Sequence, residues 1–250
     1  MTDTKRLYYE DVYIKEFSAK VVECRKEEKG FQVILDQSAF YQEGGGQPSD
    51  LGILGDTAVT DVQEKNGELI HYVKSELEPG TEVIGKIDWQ RRFDLMQQHS
   101  GEHIVSGLVH EAYGYNNVGF HMSSDVITID FSGVLDEKQL AEIEEKTNRN
   151  IWEDNPVEIF YPDKEELAAL PYRSKKELTG KIRLVRFPGA DLCACCGTHV
   201  THTGEIGMVK ILSVENFREG VRVTMISGKR VLDYLNMVNE RSEERRVGKE

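Results

Sequence analysis

Between Leu7 and Asp88 the apolar positions come in short runs that alternate with polar ones or stop at glycine and proline. That is the pattern of strands and tight turns. The spacing predicts strands over residues 13–24, 31–35, 58–63, 69–73 and 81–87, with turns at Lys29 and Gly30, Asn66 and Gly67, and Pro79 and Gly80. Strands this short and close suit a small β-barrel, so residues 1–88 are expected to form an N-terminal domain. At Asp88 the period changes to 3.6. Phe93, Met96, Ile104, Leu108 and Ala112 then share one face of a helix that runs to Tyr115, with Asp88 as its N-cap and Gly114 as its stop.

Alternation returns at 126–131, a strand. Asp136 and Gln139 have capping-box spacing ahead of a helix that reaches about Trp152, with Leu140, Ile143, Thr147 and Ile151 facing inward. Further on come a strand at 157–161, a short helix at 164–170, a strand at 181–187 and a hairpin of 208–212 with 221–226. An amphipathic helix begins at Lys229 with Val231, Leu232, Leu235 and Val238. The closing stretch RSEERRVGKE, residues 241–250, has almost nothing to bury and is expected to be a non-native or disordered tail. Two helices on one antiparallel sheet make residues 89–240 a two-layer domain and the whole chain α+β.

Composition narrows the class. Apolar residues are 39% of the chain and charged ones 30%, as in a water-soluble domain. No apolar run has the length of a membrane span, and the charged opening MTDTKRLYYED is not a signal peptide, which points to the cytoplasm and away from membranes. Cys193, Cys195 and Cys196 are too crowded to pair readily, so metal binding in a reducing compartment is favoured over a disulfide framework. A net charge of −13 excludes non-specific nucleic-acid binding by the whole surface. A local basic face remains open, and Arg91, Arg92, Arg183 and Arg186 are its candidates at the mouth of a cleft.

The candidate chemistry lies in two motifs. HSGEH places His99 and His103 one helical turn apart on one face. CACCGTH, near the other end of the chain, supplies Cys195 and His199 at a spacing that one short turn can present. Together they make the four ligands that a tetrahedral zinc ion requires, one ion per chain. Cys193 and Cys196 would point elsewhere. His110 lies seven residues beyond His103, about 10 Å along the axis at about 1.5 Å per residue, too far for the same ion. A third motif, FYQEGGGQPSDLG, holds the consecutive Gly44, Gly45 and Gly46 followed by Gln47. Such a stretch lets backbone amides approach a ligand, or simply forms a tight barrel corner.

HSGEH, CCGTH, the TGEIG of residues 203–207 and the GGGQ loop, taken together and in this order, resemble the AlaX family. Its members are free-standing relatives of the editing domain of alanyl-tRNA synthetase. The resemblance covers roughly residues 7–240. The two metal motifs alone are shared with the threonyl-tRNA synthetase editing domain, and FYQEGGGQPSD selects the alanyl branch. The resemblance implies a barrel followed by an editing domain of the threonyl/alanyl second-additional-domain type, and a long form without its C-terminal domain. It implies zinc ligands at His99, His103, Cys195 and His199. The implied activity is deacylation in trans of tRNA(Ala) carrying serine or glycine.

Roles beyond the ligands stay open at this point. Gly44, Gly45, Gly46 and Gln47 would cover the amino acid across a domain junction, and His121 would either line the pocket or hold a surface strand position. Asp191 is a candidate acceptor behind a ligand histidine, or a turn residue. Glu102 sits between the ligand histidines as a general base does in metalloprotease helices. That gives two alternatives to editing, a zinc peptidase or a non-catalytic zinc-stabilised tRNA-binding module.

Overall fold

The computed structural model describes residues 4–174 and 180–247, which divide into two compact units, Met1–Leu95 and Met96–Glu250. The described residues are sheet-rich and include four α-helices.

In the first unit β1 (Lys5–Arg6) pairs in parallel with β4 (Gln37–Ser38). Six longer strands, β2 (Glu16–Glu27), β3 (Gly30–Leu35), β5 (Gly52–Leu54), β6 (Thr57–Lys65), β7 (Glu68–Val73) and β8 (Glu82–Ile87), pair antiparallel in the order β2-β3-β7-β6-β5-β8. The ring closes where β8 meets β2, Glu16 opposite Lys86. Alternation decides the inside: Phe17, Ala19 and Val21 of β2 and Val83 and Ile87 of β8 are buried while their neighbours face water. Phe40 and Tyr41, from the segment between β4 and β5, complete this core. Strand β5 has no counterpart among the strands expected from the sequence, because three residues are too few to display a period. Tyr13, expected to begin the first strand, precedes it and packs its ring 5.3 Å from that of Trp89.

Helix α1 (Trp89–Tyr113) starts where Asp88 accepts from the Arg91 amide at 3.1 Å and stops at Gly114, whose φ is 70°. The apolar stripe read from the sequence understates it. Every residue from Leu95 to Val109 is buried, whereas Ala112 is exposed. The polar side chains in this stretch are buried because they have partners. Gln98 exchanges hydrogen bonds with the Ser227 backbone at 2.8 Å in both directions, and Gln97 donates to the Glu205 carbonyl at 2.8 Å.

In the second unit β9 (Asn117–Met122), β10 (Ile127–Phe131), β14 (Val209–Phe217) and β15 (Gly220–Ser227) form an antiparallel sheet in the order β14-β15-β10-β9. Helix α2 (Glu137–Trp152) has the capping box expected at Asp136 and Gln139 and buries Leu140, Ile143, Thr147 and Ile151. Its Asn148 bonds the Val209 backbone in both directions, clamping the helix to β14. A second sheet is made of β11 (Glu158–Phe160), β12 (Leu184–Phe187) and β13 (Asp191–Ala194), with the short α3 (Lys164–Ala169) between its first two strands in the chain. Helix α4 (Lys229–Val247) continues past the point where a tail was expected, because the Glu- and Arg-rich stretch favours helix without needing burial. Val231 is buried there, and Leu232, Leu235 and Val238 are exposed. Residues 248–250 of that expected tail lie outside the described residues.

Candidate metal centre

Two backbone devices bring the motifs of the second unit together. Helix α1 projects His99 and His103 from one face. The β12–β13 hairpin delivers the cysteine turn against it, and Gly107 lets the hairpin come that close. A Cβ at Gly107 would stand 2.2 Å from the Ala190 carbonyl oxygen and 2.6 Å from the Asp191 Cβ. Beyond β13 the chain is held by Arg183, which donates to the carbonyls of Cys195 at 2.7 Å and Gly197 at 3.2 Å. Ser100 Oγ then accepts from the Val200 amide at 3.2 Å and faces His199 Nδ1 at 3.4 Å.

The outcome is a cluster of His99, His103, Cys195 and His199, whose ligand atoms all lie within 4.8 Å of one another. The Cys195 sulfur is its centre, 3.6 Å from His99 Nε2 and 3.4 Å from His199 Nε2, with His103 also hydrogen-bonded to it and the Gly197 amide donating at 3.3 Å. Burial alone would raise the Cys195 thiol, but His99, His199 and His103 outweigh it and hold the thiol well below its ordinary value. Burial, reinforced by His99, pushes His199 down to about 3, which leaves a neutral nitrogen donor. His103 behaves oppositely: burial would lower it, yet the Cys195 sulfur and the Asp191 carboxylate carry it up to about 9. An anionic sulfur and a neutral imidazole are the forms that bind metal ions.

Asp191 accepts from His103 Nδ1 at 2.8 Å, which turns Nε2 of that ring toward the sulfur. Two aromatic rings that the sequence did not reveal flank the cluster. Phe120 stacks on His99 at 5.5 Å and Phe187 on His103 at 5.4 Å. His121, expected to line the pocket, is exposed; it follows Phe120 on β9, so alternation sends it to the opposite side of the strand. Glu102 is buried but engaged elsewhere, its Oε1 accepting from Ser106 Oγ at 2.6 Å and from Asn117 Nδ2. Cys193 is buried, its thiol pushed up by burial and by Asp191, and Cys196 is exposed.

Of the four basic residues expected to meet a polyanion, Arg92 and Arg183 are buried. Arg92 is fully buried on Asp50, Arg183 binds the cysteine turn, and Arg186 pairs with Glu158 at 2.6 Å. The glycine loop belongs to the first unit. Gly44 and Gln47 exchange backbone hydrogen bonds at 3.0 Å across Gly45 and Gly46, whose φ values of 63° and 88° suit glycine. Gln47 is buried.

Comparison with known proteins adds an independent line. Residues 182–223 match the threonyl and alanyl tRNA synthetase second additional domain, and residues 2–91 match the class II (A) tRNA synthetases. The chain is 34% identical over 244 residues, 94% of its length, to the alanyl-tRNA editing protein AlaX-L of Pyrococcus horikoshii. It is 34% identical to the alanyl-tRNA editing protein Aarsd1-A of Xenopus laevis over 90% of its length. With the alanine–tRNA ligase of Ignicoccus hospitalis it shares 35% identity over 92% of its own length and 26% of that enzyme's. It spans 60% of the first of these relatives and 59% of the second. Among the described residues, no helix is long and apolar enough to cross a membrane.

Proposed function

From the premise that the chain belongs to the alanyl-tRNA editing family, we propose that it is a trans-editing hydrolase. Its substrate is tRNA(Ala) mischarged with serine or glycine, and the bond cleaved is the ester between the amino acid and the terminal ribose. The observation that carries this reading is the meeting of His99, His103, Cys195 and His199 at one point in a chain similar to editing proteins. The chemical need is general. A pocket built for alanine cannot shut out glycine, which is smaller, and rejects one added hydroxyl only weakly.

The donor set suits one zinc ion. Bond lengths of about 2.3 Å to sulfur and about 2.0 Å to nitrogen put tetrahedral ligands about 3.5 Å apart. The sulfur-to-nitrogen distances of 3.6 and 3.4 Å match that edge. When bound, zinc would either anchor the substrate or, with one of the four ligands giving way, act as a Lewis acid on a carbonyl or a water. The protein's own groups do the rest. Asp191 holds the Nδ1 proton of His103 and so presents its Nε2, Ser100 braces His199, and Phe120 and Phe187 keep water from the flanks of the rings. Glu102 does not serve as a general base in this reading, because Ser106 and Asn117 already hold its carboxylate, and this weakens the zinc-peptidase alternative. Editing of tRNA puts the work in the cytoplasm.

The test is deacylation of Ser-tRNA(Ala), Gly-tRNA(Ala) and Ala-tRNA(Ala) by the purified chain, with and without a chelator. Release from the first two, sparing of the third, and loss in Cys195→Ala are expected. Peptide cleavage without ester hydrolysis would establish the peptidase instead. Binding of tRNA with no release would reduce the protein to a recognition module.

A further inference from the structure

The carboxylate of Asp191 has two partners. While Oδ2 accepts from His103, Arg173 grips the same group in a fork, Nε to Oδ1 at 2.7 Å and Nη2 to Oδ2 at 2.7 Å. The side chains of His103, Asp191 and Arg173 are 4%, 1% and 12% exposed. A carboxylate this deeply buried is tolerated only with a compensating cation, and a planar guanidinium meets both oxygens at once. His103, Asp191 and Cys193 also form a second group of clustered metal-binding atoms. Arg173 supplies the positive charge there.

The backbone fixes where that charge stands. The Arg173 amide donates to the Leu192 carbonyl at 2.8 Å, and the Ala194 amide donates to the Arg173 carbonyl at 2.9 Å. Residue 173 is thereby locked beside the strand that carries Asp191. Two clefts, of about 350 and 330 Å³, are each lined in part by Arg173, one also by Gly107, Phe187 and Asp191 and the other by Asn117 and Tyr172. Small solutes can therefore reach this position from solvent.

We infer that Arg173 is a positioning residue of the metal centre: by holding both oxygens of Asp191 it keeps that carboxylate on His103 Nδ1, and thus keeps His103 Nε2 on the metal. The inference rests on the zinc-centre reading above, and its test separates the two. Zinc affinity of the full chain is measured by competition with a chromophoric chelator for the parent, Arg173→Ala and Arg173→Lys. A parent that binds no ion would sink the metal centre itself, whatever the variants do. With a parent that binds, Arg173→Ala should lose about 10- to 100-fold in affinity, the usual range for partners behind a metal ligand. Millimolar guanidinium, entering through the clefts, should recover part of the loss, and tetramethylammonium at equal ionic strength should not. Arg173→Lys keeps the charge without the fork and should fall between the two. Unchanged affinity in Arg173→Ala would overturn the inference. So would a loss that guanidinium leaves in place, since that marks a damaged fold rather than a missing cation.

Discussion

Arg92 and Asp50 form an ion pair whose side chains are 0% and 1% exposed. Arg92 Nε lies 2.8 Å from each carboxylate oxygen, and the other guanidinium nitrogens donate to the carbonyls of Val12 at 3.0 Å and Ala39 at 2.6 Å. Asp50 also accepts from the Tyr41 amide at 2.6 Å. The pair thus ties the start of α1 to both ends of the glycine-loop segment.

Removing one partner leaves the other charge buried and alone. Arg92→Ala should therefore lose about 3–5 kcal/mol of stability. Arg91, which is less buried and whose guanidinium donates to the Ser49 carbonyl at 3.2 and 3.3 Å, should cost far less when replaced by Ala. Denaturant titration of the two variants decides whether Arg92 is a structural hub or a surface cation.

Acid should weaken the first unit through His71. This ring is fully buried, with Ser38 Oγ 2.7 Å from Nε2 and the Val33 carbonyl 3.1 Å from Nδ1, and burial pushes it down to about 4. An unfolded imidazole titrates near about 6.5. Above that value both states are neutral and the contribution is complete. As pH falls toward about 4 the unfolded chain takes up a proton that the folded one refuses, removing up to about 3 kcal/mol. In His71→Gln the stability-versus-pH slope in this window should drop by one proton; an unaltered slope would assign that proton to another group.

The three clustered cysteines should separate cleanly. Cys195→Ala should lose the metal, while Cys193→Ala and Cys196→Ala should each retain one ion. The Cys195 sulfur lies 3.6 Å from His99 Nε2 and 3.4 Å from His199 Nε2. Metal analysis of the purified variants reads this directly, and equal loss in Cys193→Ala would shift the ligand set to the Asp191 side of His103.

Gly107→Ala should be felt at the metal as well as in the fold. The new Cβ would meet the Ala190 carbonyl oxygen at 2.2 Å, and that backbone cannot yield without carrying Asp191 away from His103. A stability loss of about 1–3 kcal/mol, the usual cost of overpacking, should accompany weaker zinc binding. Calorimetry showing a stable variant with parental affinity would mean that the hairpin adjusts freely.

Much of this protein is written in local order. Strand alternation, the capping box at Asp136, the helix bounds at Asp88 and Gly114, and the one-turn spacing of His99 and His103 each depend on residues a few positions apart. Short-range periodicity and capping chemistry express them directly. Tertiary packing decided what depends on residues distant in the chain. It buried α1 on all sides by giving Gln97 and Gln98 backbone partners, and it turned Arg92 and Arg183 from candidate phosphate contacts into buried braces. It also brought Phe120 rather than His121 to the histidines and set Arg173 behind Asp191. In each case the side chain's role comes from a partner that no spacing along the chain specifies. A burial pattern or a stacked ring exists only once distant segments have met.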